Sequence, residues 1–183
     1  MTNPAPGLIT VPSGIVTSAT YCESSVHPAS VVTGGGGMAN TESSPTLTGF
    51  AFAGNTARYG GGIYNSGSSL TLTHGEFISN TGTSTGGGMR NISSSLTLTD
   101  VTFRGNTAVT KGGAITAWDC STMITGCVFE DNNASSGGGI YCSGSPTITG
   151  NTIVENRANP GDGGPDYASK KQGRVCPAFL NIV

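Results

Sequence analysis

The sequence predicts an all-β protein folded as a parallel β-helix of about five to six coils, with irregular caps at both ends. First, the segment from Gly60 to Asn80 recurs once before and three times after itself, at a period of 24 to 26 residues. Second, the units are rich in Gly, Ser, Thr and Asn, with apolar residues two positions apart rather than at helical spacing. Third, the Leu-x-x-Leu-x-Leu frame of leucine-rich repeats is absent. Such a period indicates stacked coils of short strands, roughly 4.8 Å apart.

Each unit opens on a glycine pair or triplet followed by an apolar residue, at positions 35–38, 60–63, 86–89, 112–115 and 137–140. We expect the apolar residue to point inward and the next residue to point outward, because side chains alternate along a strand. The outward set is Ala39, Tyr64, Arg90, Thr116 and Tyr141. A glycine-rich loop that cradles phosphate needs a helix start after it, and none follows here. The glycines therefore predict turns with positive φ.

The middle segment of each unit places one inward residue between two outward positions, the inward set being Leu47, Leu72, Leu98, Ile124 and Ile148. The closing segment carries Phe-x-x-Asn. Its phenylalanines, Phe52, Phe77, Phe103 and Phe129, predict an internal ladder. Its asparagines, Asn55, Asn80, Asn106, Asn132 and Asn156, predict a second ladder in which each buried amide donates to one neighbouring coil and accepts from the other. We also expect these asparagines to adopt the left-handed backbone conformation of a corner.

The repeats divide the chain into three parts. Residues 1–33 are predicted to form an irregular N-terminal β coil or cap, residues 34–159 five coils, and residues 160–183 a C-terminal cap or docking tail. Only 10% of the 183 residues are charged and the net charge is −2, which argues against a nucleic-acid groove or a polybasic membrane patch. No apolar run is long enough to span a membrane.

The five cysteines leave two alternatives open. Cys127 falls in the column of Phe50 and Val101, which predicts a buried thiol. Cys120 and Cys142 lie one coil apart and are candidates for a disulfide; alternatively, all five cysteines are free. His27 and His74 are far apart and no Cys-x-x-Cys occurs, so we expect neither a metal site nor a cofactor.

The Gly-Gly-Ala-Ile tetrad at 112–115 and the Phe-x-x-Asn tetrads resemble the repeats of the chlamydial polymorphic outer membrane proteins and, more widely, bacterial right-handed parallel β-helix repeat proteins. The resemblance covers residues 34–159. It implies a right-handed coil and a surface-displayed adhesive or structural domain of a larger secreted protein. We therefore expect an extracellular or cell-surface location, with a leader that lies outside this chain, because residues 1–20 lack a basic start and a continuous apolar segment.

The main functional hypothesis is a non-catalytic structural or adhesive module. Its partners would be a protein or glycan surface, contacted by the outward Tyr64 and Tyr141, or other copies that stack on the open ends of the β-helix.

Ice binding is the first alternative. Nine of the ten outward positions on the middle strands are threonine, which would form a flat grid of methyl and hydroxyl groups resembling the ice-binding faces of β-solenoid antifreeze proteins; Met123 is the exception. The grid comprises Thr46, Thr48, Thr71, Thr73, Thr97, Thr99, Thr125, Thr147 and Thr149. Threonine is also an ordinary solvent-facing strand residue.

A polysaccharide-binding or polysaccharide-cleaving β-helix is the third hypothesis, and catalysis would need paired carboxylates or carboxylates beside a base. The candidates gather near the closing strands: Glu76, Asp100, Arg104, Glu130 and Asp131. Their register predicts ordinary pairs of opposite charges on adjacent strands, so we expect no enzyme activity.

Overall fold

A computed structural model describes residues 14–16 and 34–159 of the chain, the former by their backbone only. Every regular element in this part is a short β-strand, and no helix occurs in it. In chain order the strands are β1 Gly14–Val16, β2 Met38–Thr41, β3 Thr46–Thr48, β4 Phe50–Ala53, β5 Thr56–Tyr59, β6 Ile63–Ser66, β7 Ser69–Thr73, β8 Glu76–Ile78, β9 Thr81–Thr85, β10 Met89–Ile92 and β11 Ser95–Thr99. They continue as β12 Thr102–Arg104, β13 Thr107–Ala108, β14 Ile115–Cys120, β15 Thr122–Thr125, β16 Val128–Glu130, β17 Asn133–Ala134, β18 Ile140–Gly144, β19 Thr147–Thr149, β20 Thr152–Val154 and β21 Arg157–Ala158.

The strands form four parallel sheets, and each coil contributes one strand to each sheet. The opening sheet contains β2, β6, β10, β14 and β18, and the middle sheet β3, β7, β11, β15 and β19. The closing sheet contains β4, β8, β12, β16 and β20 with β1 on its outer edge, and the return sheet β5, β9, β13, β17 and β21. The predicted parallel β-helix of about five coils is confirmed. The predicted caps lie outside the described residues, apart from β1.

The core is a set of columns in which equivalent residues of successive coils stack. Met38, Ile63, Met89, Ile115 and Ile140 are paired in register along the opening sheet and are buried. Along the closing sheet, the rings of Phe77 and Phe103 stack with centroids 4.6 Å apart, and those of Phe103 and Phe129 stack 5.0 Å apart. Offset stacking of parallel rings adds attraction to the burial of their apolar area. The coil period thus places one residue of each column on every level of the core.

The opening glycines are required by both backbone angle and space. Gly86 begins its coil with a φ of 68°, in the left-handed region that glycine enters without steric cost. A Cβ on the next residue, Gly87, would lie 2.2 Å from the carbonyl oxygen of Gly113 in the adjacent coil. Any larger residue there would push two coils apart, which explains why glycine recurs.

Two expectations about backbone and exposure were wrong. The corner asparagines do not have positive φ; the residue before each one does, as in Ser79 (53°), Gly105 (63°) and Asp131 (53°). The asparagine is instead held by its side-chain hydrogen bonds. Thr116 was expected to be exposed but is 0% exposed. It lies in register between Arg90 and Tyr141, and its hydroxyl donates to the carbonyl of Lys111 at 2.7 Å, within a corner that bulky side chains close.

The alternative of a disulfide between Cys120 and Cys142 is not realised. Cys120 is a free thiol, and it lies opposite Gly144, whereas Cys142 lies opposite Ala117. A register shift between Ala117 and Cys120 separates the two columns.

Candidate functional site: the outer faces of the coils

The threonine face is a two-column array on the middle sheet. One column runs Thr46, Thr71, Thr97, Met123 and Thr147, and the other runs Thr48, Thr73, Thr99, Thr125 and Thr149, each paired in strict register. All nine threonines are exposed or half-buried, and Met123 is 52% exposed. The inward residue of the first four strands, such as Leu98, is buried, and Ile148 on the last strand is partly buried against the core. The face is therefore flat and regular because the core residue between the two columns is constant in size.

The predicted asparagine positions form a continuous hydrogen-bonded ladder on the inside of the corner. The side-chain oxygen of Asn106 accepts from the backbone and side-chain N–H groups of Asn80, both at 3.0 Å. Its side-chain amide donates to the carbonyl of Phe77 and to the side-chain oxygen of Asn132, both at 2.9 Å. The same bonds recur along Asn55, Asn80, Asn132 and Asn156. These residues hold the coil spacing and are not available to a ligand.

A second asparagine ladder was missed by sequence reasoning. The side-chain amide of Asn40 donates to the side-chain oxygen of Asn65, and that of Asn65 donates to Asn91, each at 2.5 Å. Asn91 then contacts the Cys120 sulfur at 3.1 Å. The signal was present, because each of these asparagines lies two residues after the inward opening residue. The column changes to Ala117 in the next coil, which shortens the pattern.

The candidate catalytic residues do not converge on a cleft. Arg104 lies 3.6 Å from Glu130 on the adjacent strand, as predicted from the register, and His74 lies 3.5 Å from Asp100. Glu76 is paired with Thr102, and Asp131 lies at an exposed corner. No group of three His, Cys, Asp or Glu side chains suited to a metal ion occurs among residues 34–159.

Serines line a shallow, open groove of about 370 Å³ beside the threonine face. Ser69 and Ser95, which are paired in register, line the groove together with Glu42 and Asp119. Several of the hydroxyls are used internally: Ser68 accepts from the backbone of Ser43 at 3.0 Å. The groove is polar and continuous with the threonine face.

Aromatic and basic side chains gather at the corner between the return and opening sheets. Together with Thr85, which lies in the same column as Tyr59 and Lys111, they form a set that we call the corner cluster: Tyr59, Thr85, Arg90, Lys111, Trp118 and Tyr141. The Arg90 guanidinium carbon lies 4.0 Å from the Tyr59 ring centroid and 5.2 Å from that of Trp118. The Lys111 ammonium lies 5.0 Å from the Trp118 centroid and 4.6 Å from that of Tyr141. The result is an alternating stack of rings and cations, in which each cation lies within the attractive range of two rings.

Sequence reasoning singled out only Tyr64 and Tyr141 from this region. Both point outward and are half-buried, and the Tyr64 ring packs against Gly34. Tyr59, Thr85 and Lys111 were missed, although each immediately precedes the first glycine of a coil. They form one column because Tyr59 pairs with Thr85, and Thr85 with Lys111. That fixed offset from the glycine was the available signal.

Three cysteines of the described residues are buried: Cys120, Cys127 and Cys142. Burial raises the pKa of the Cys127 thiol above its ordinary value of 9.0, and burial likewise raises the pKa of Cys120. Both side chains are at most 5% exposed. They pack as small apolar groups and are shielded from reagents.

These features define the chain as a parallel β-helix repeat protein. Residues 100–117 and 126–143 match the Chlamydia polymorphic membrane protein repeat, so the resemblance inferred from the tetrads is confirmed. No curated protein and no solved structure matches the chain. Within residues 34–159 there is no helix of the length and hydropathy that a membrane crossing requires.

Proposed function

We propose that the chain is a non-catalytic, surface-associated β-helix module with a structural or adhesive role. The observation that carries the proposal is the regularity of its outer faces. Outward residues of successive coils align in register across the middle sheet, so this sheet presents an extended, flat outer face and does not form a deep cleft. Extended flat faces suit contacts with large partners, whereas small substrates are enclosed in concave sites. The match to a membrane protein repeat supports an extracellular or cell-surface location.

The charged residues support a non-catalytic role. General acid and base catalysis needs two groups that approach the same reacting bond. Here Glu130 lies beside Arg104 and Asp100 lies beside His74, so each carboxylate is paired with a different basic side chain rather than with the other carboxylate. Such pairs are typical of solvent-facing strands.

The ends of the β-helix provide a second mode of association, with other copies of the chain. In the last described coil Ile153 is 37% exposed, whereas Phe129 in the same column one coil earlier is 0% exposed. A further coil would cover Ile153 and pair with β20 by the hydrogen bonds that join adjacent coils. Sedimentation velocity over a wide concentration range tests this mode. Stacking predicts a concentration-dependent series of species, and a single monomer boundary at all concentrations would refute it.

Adhesion is tested directly with beads coated with the folded chain and applied to cultured-cell monolayers. We expect several times more beads to remain after washing than with beads coated with the heat-unfolded chain, which has the same composition but lacks the aligned faces. Equal retention of the two kinds of bead would contradict the proposal.

Ice binding is the second candidate, favoured by the strict register of the threonine face. Two outward residues on one strand are roughly 6.7 Å apart and adjacent strands roughly 4.8 Å apart, which gives a rigid two-dimensional spacing of hydroxyl and methyl groups. The test is thermal hysteresis with observation of ice-crystal shape, comparing the native chain with Thr97→Tyr. Thr97 is half-buried and points outward, so the variant should fold normally. Activity that Thr97→Tyr abolishes would support ice binding, and no hysteresis in the native chain would exclude it.

A further inference from the structure

We propose that the corner cluster binds an acidic glycan, a sugar chain that carries carboxylate groups. The inference rests on the proposed adhesive function and gives that function a ligand class and a location. The anion would be held by Arg90 and Lys111, and the apolar faces of the sugar rings would lie against the aromatic side chains.

Positive charge is concentrated at the corner cluster. The chain carries a net charge of −2, yet Arg90 and Lys111 meet on one stack of rings at the corner. The two ion pairs found among the described residues are elsewhere, and neither involves Arg90 or Lys111. The exposed Arg58 adds a third cation, 5.1 Å from the Tyr59 ring centroid. A local excess of positive charge on an acidic protein is complementary to an anion.

The corner cluster contains buried hydrogen-bonding groups without partners among the described residues. The Nε of Arg90 and the hydroxyl of Thr85 are buried, and neither has a hydrogen-bond partner within the described residues. Thr85 is only 5% exposed and lies in the column between Tyr59 and Lys111. Buried polar atoms are normally paired, because an unpaired one costs about 1–3 kcal/mol. Two such atoms in one corner indicate a site that a polar ligand would complete.

The rings of the corner cluster contact the Arg90 guanidinium and one another. The Arg90 guanidinium carbon lies over the Tyr59 ring, an arrangement in which a ring contacts a guanidinium face while the N–H donors lie around the guanidinium edge. Guanidinium edges match the two oxygens of a carboxylate. Trp118 and Tyr141 meet edge to face at 6.3 Å, and both are half-buried. Aromatic side chains with one accessible side provide apolar contact area at low entropic cost.

The corner cluster is elongated along the axis of the β-helix. From Tyr59 to Tyr141 it extends over about three coil repeats, which at about 4.8 Å per repeat span roughly 14 Å along that axis. An elongated site with repeated cations suits a polymer with repeated charges better than a single small anion.

A glycan fits this corner better than an acidic peptide. Peptides commonly bind β-proteins by adding a strand to a free sheet edge. The opening strands β6, β10 and β14 are each paired on both sides, so no edge is open at the corner. Recognition must therefore come from side chains, and here these are aromatic rings with cations between them.

Trp118 is the single tryptophan of the chain, so its fluorescence reports on this site alone. The experiment titrates the full chain with oligogalacturonate and, separately, with a neutral maltooligosaccharide of equal length. We expect a saturable change in Trp118 emission with the acidic oligosaccharide and an affinity weaker by about tenfold or more for the neutral one, the effect of losing a charge-assisted hydrogen bond. Equal affinities for the two sugars would overturn the proposal, as would the absence of binding by the acidic one.

Lys111→Gln and Arg90→Gln should each weaken binding of the acidic sugar by about tenfold. Arg104→Gln is the matched control, because it removes the same charge from the closing sheet and should leave the affinity unchanged. Isothermal titration calorimetry repeats the comparison without relying on Trp118, and circular dichroism shows which variants are folded. If Arg90→Gln fails to fold, Lys111→Gln decides the result. An equal loss in Arg104→Gln and Lys111→Gln would show nonspecific charge attraction and overturn the site.

Two further arms separate this inference from its alternatives. Polyglutamate that binds as tightly as oligogalacturonate would make the occupant an acidic peptide and overturn the glycan. In the bead assay, full adhesion by Lys111→Gln would refute the glycan site while leaving the adhesive module intact. If beads coated with the native chain adhere no better than beads coated with the heat-unfolded chain, the adhesive function is refuted, whatever the sugar titration shows.

Discussion

Replacing Phe103 with alanine should destabilise the protein more than any outward substitution. Phe103 is 0% exposed and stacks between Phe77 and Phe129, with interplanar angles of 2° and 4°. Truncating a buried phenylalanine costs about 3–5 kcal/mol. The spacing of the coils is fixed by backbone bonds and by the asparagine ladder, so neighbouring rings cannot close the cavity. The loss of two stacked contacts, each worth about 0.5–1.5 kcal/mol, places the expected cost near the top of that range, at about 4–5 kcal/mol.

The assay is equilibrium unfolding in urea, monitored by circular dichroism, with the free energy of unfolding obtained by linear extrapolation. For a chain of this size each 1 kcal/mol shifts the midpoint of thermal unfolding by about 2–4 °C, so Phe103→Ala should lower it by about 8–20 °C. The control is Thr97→Ala on the outer face, which should stay within about 0.5 kcal/mol of the native chain. A loss of less than about 1 kcal/mol in the free energy of unfolding of Phe103→Ala would refute the stacked core, because removing a buried phenylalanine ring costs more than that.

Three other substitutions test separate parts of the structure. Asn106→Ala should cost about 1–3 kcal/mol, because the backbone N–H of Asn80 and the carbonyl of Phe77 lose their partner; a neutral result in urea unfolding would place that side chain at the surface. Gly105→Ala should cost about 1–2 kcal/mol in the same assay, because its φ of 63° disfavours any side chain; a gain in stability would contradict that backbone angle. Because burial raises the pKa of the Cys127 thiol, the folded state keeps the thiol proton to higher pH than the unfolded state. The buried thiol therefore contributes its full share to the free energy of unfolding below pH 9.0, and this share declines as the pH rises through the folded pKa. The difference in thermal midpoint between the native chain and Cys127→Ala should therefore narrow above pH 9.0, and a constant difference would contradict a buried thiol.

The sequence period was sufficient to predict the fold because stacking requires similar residues at equivalent positions of every coil. Phe103 and Asn106 recur at one period, and each recurrence fixes the register of all the residues between them. The outward direction of Thr97 could be predicted because it is the sequence neighbour of the inward Leu98, and side chains alternate along a strand. Backbone angles did not follow in the same way: the left-handed residue of the closing corner is Gly105 in one coil and Asp131 in another, so no single residue type marks it.

The corner cluster was harder to find because its members come from two sheets. Arg90 lies in the opening strand and Tyr59 in the return strand two units earlier, so their contact depends on how sharply the glycine corner folds. The register partner of Trp118 in the preceding coil is Ile92, which is not aromatic. The tryptophan therefore does not belong to a repeated sequence pattern. Repetition predicts what every coil shares, whereas this site depends on residues in which individual coils differ.

The adhesion of coated beads tests the central claim most directly. It is measured in parallel for the native chain, for the combined Arg90→Gln and Lys111→Gln variant, and for Thr97→Tyr. The account predicts that the native chain and Thr97→Tyr retain beads equally well and that the combined corner variant, shown to be folded, loses most of its adhesion. Adhesion that survives in the corner variant and disappears in Thr97→Tyr would move the binding surface to the threonine face and contradict the account.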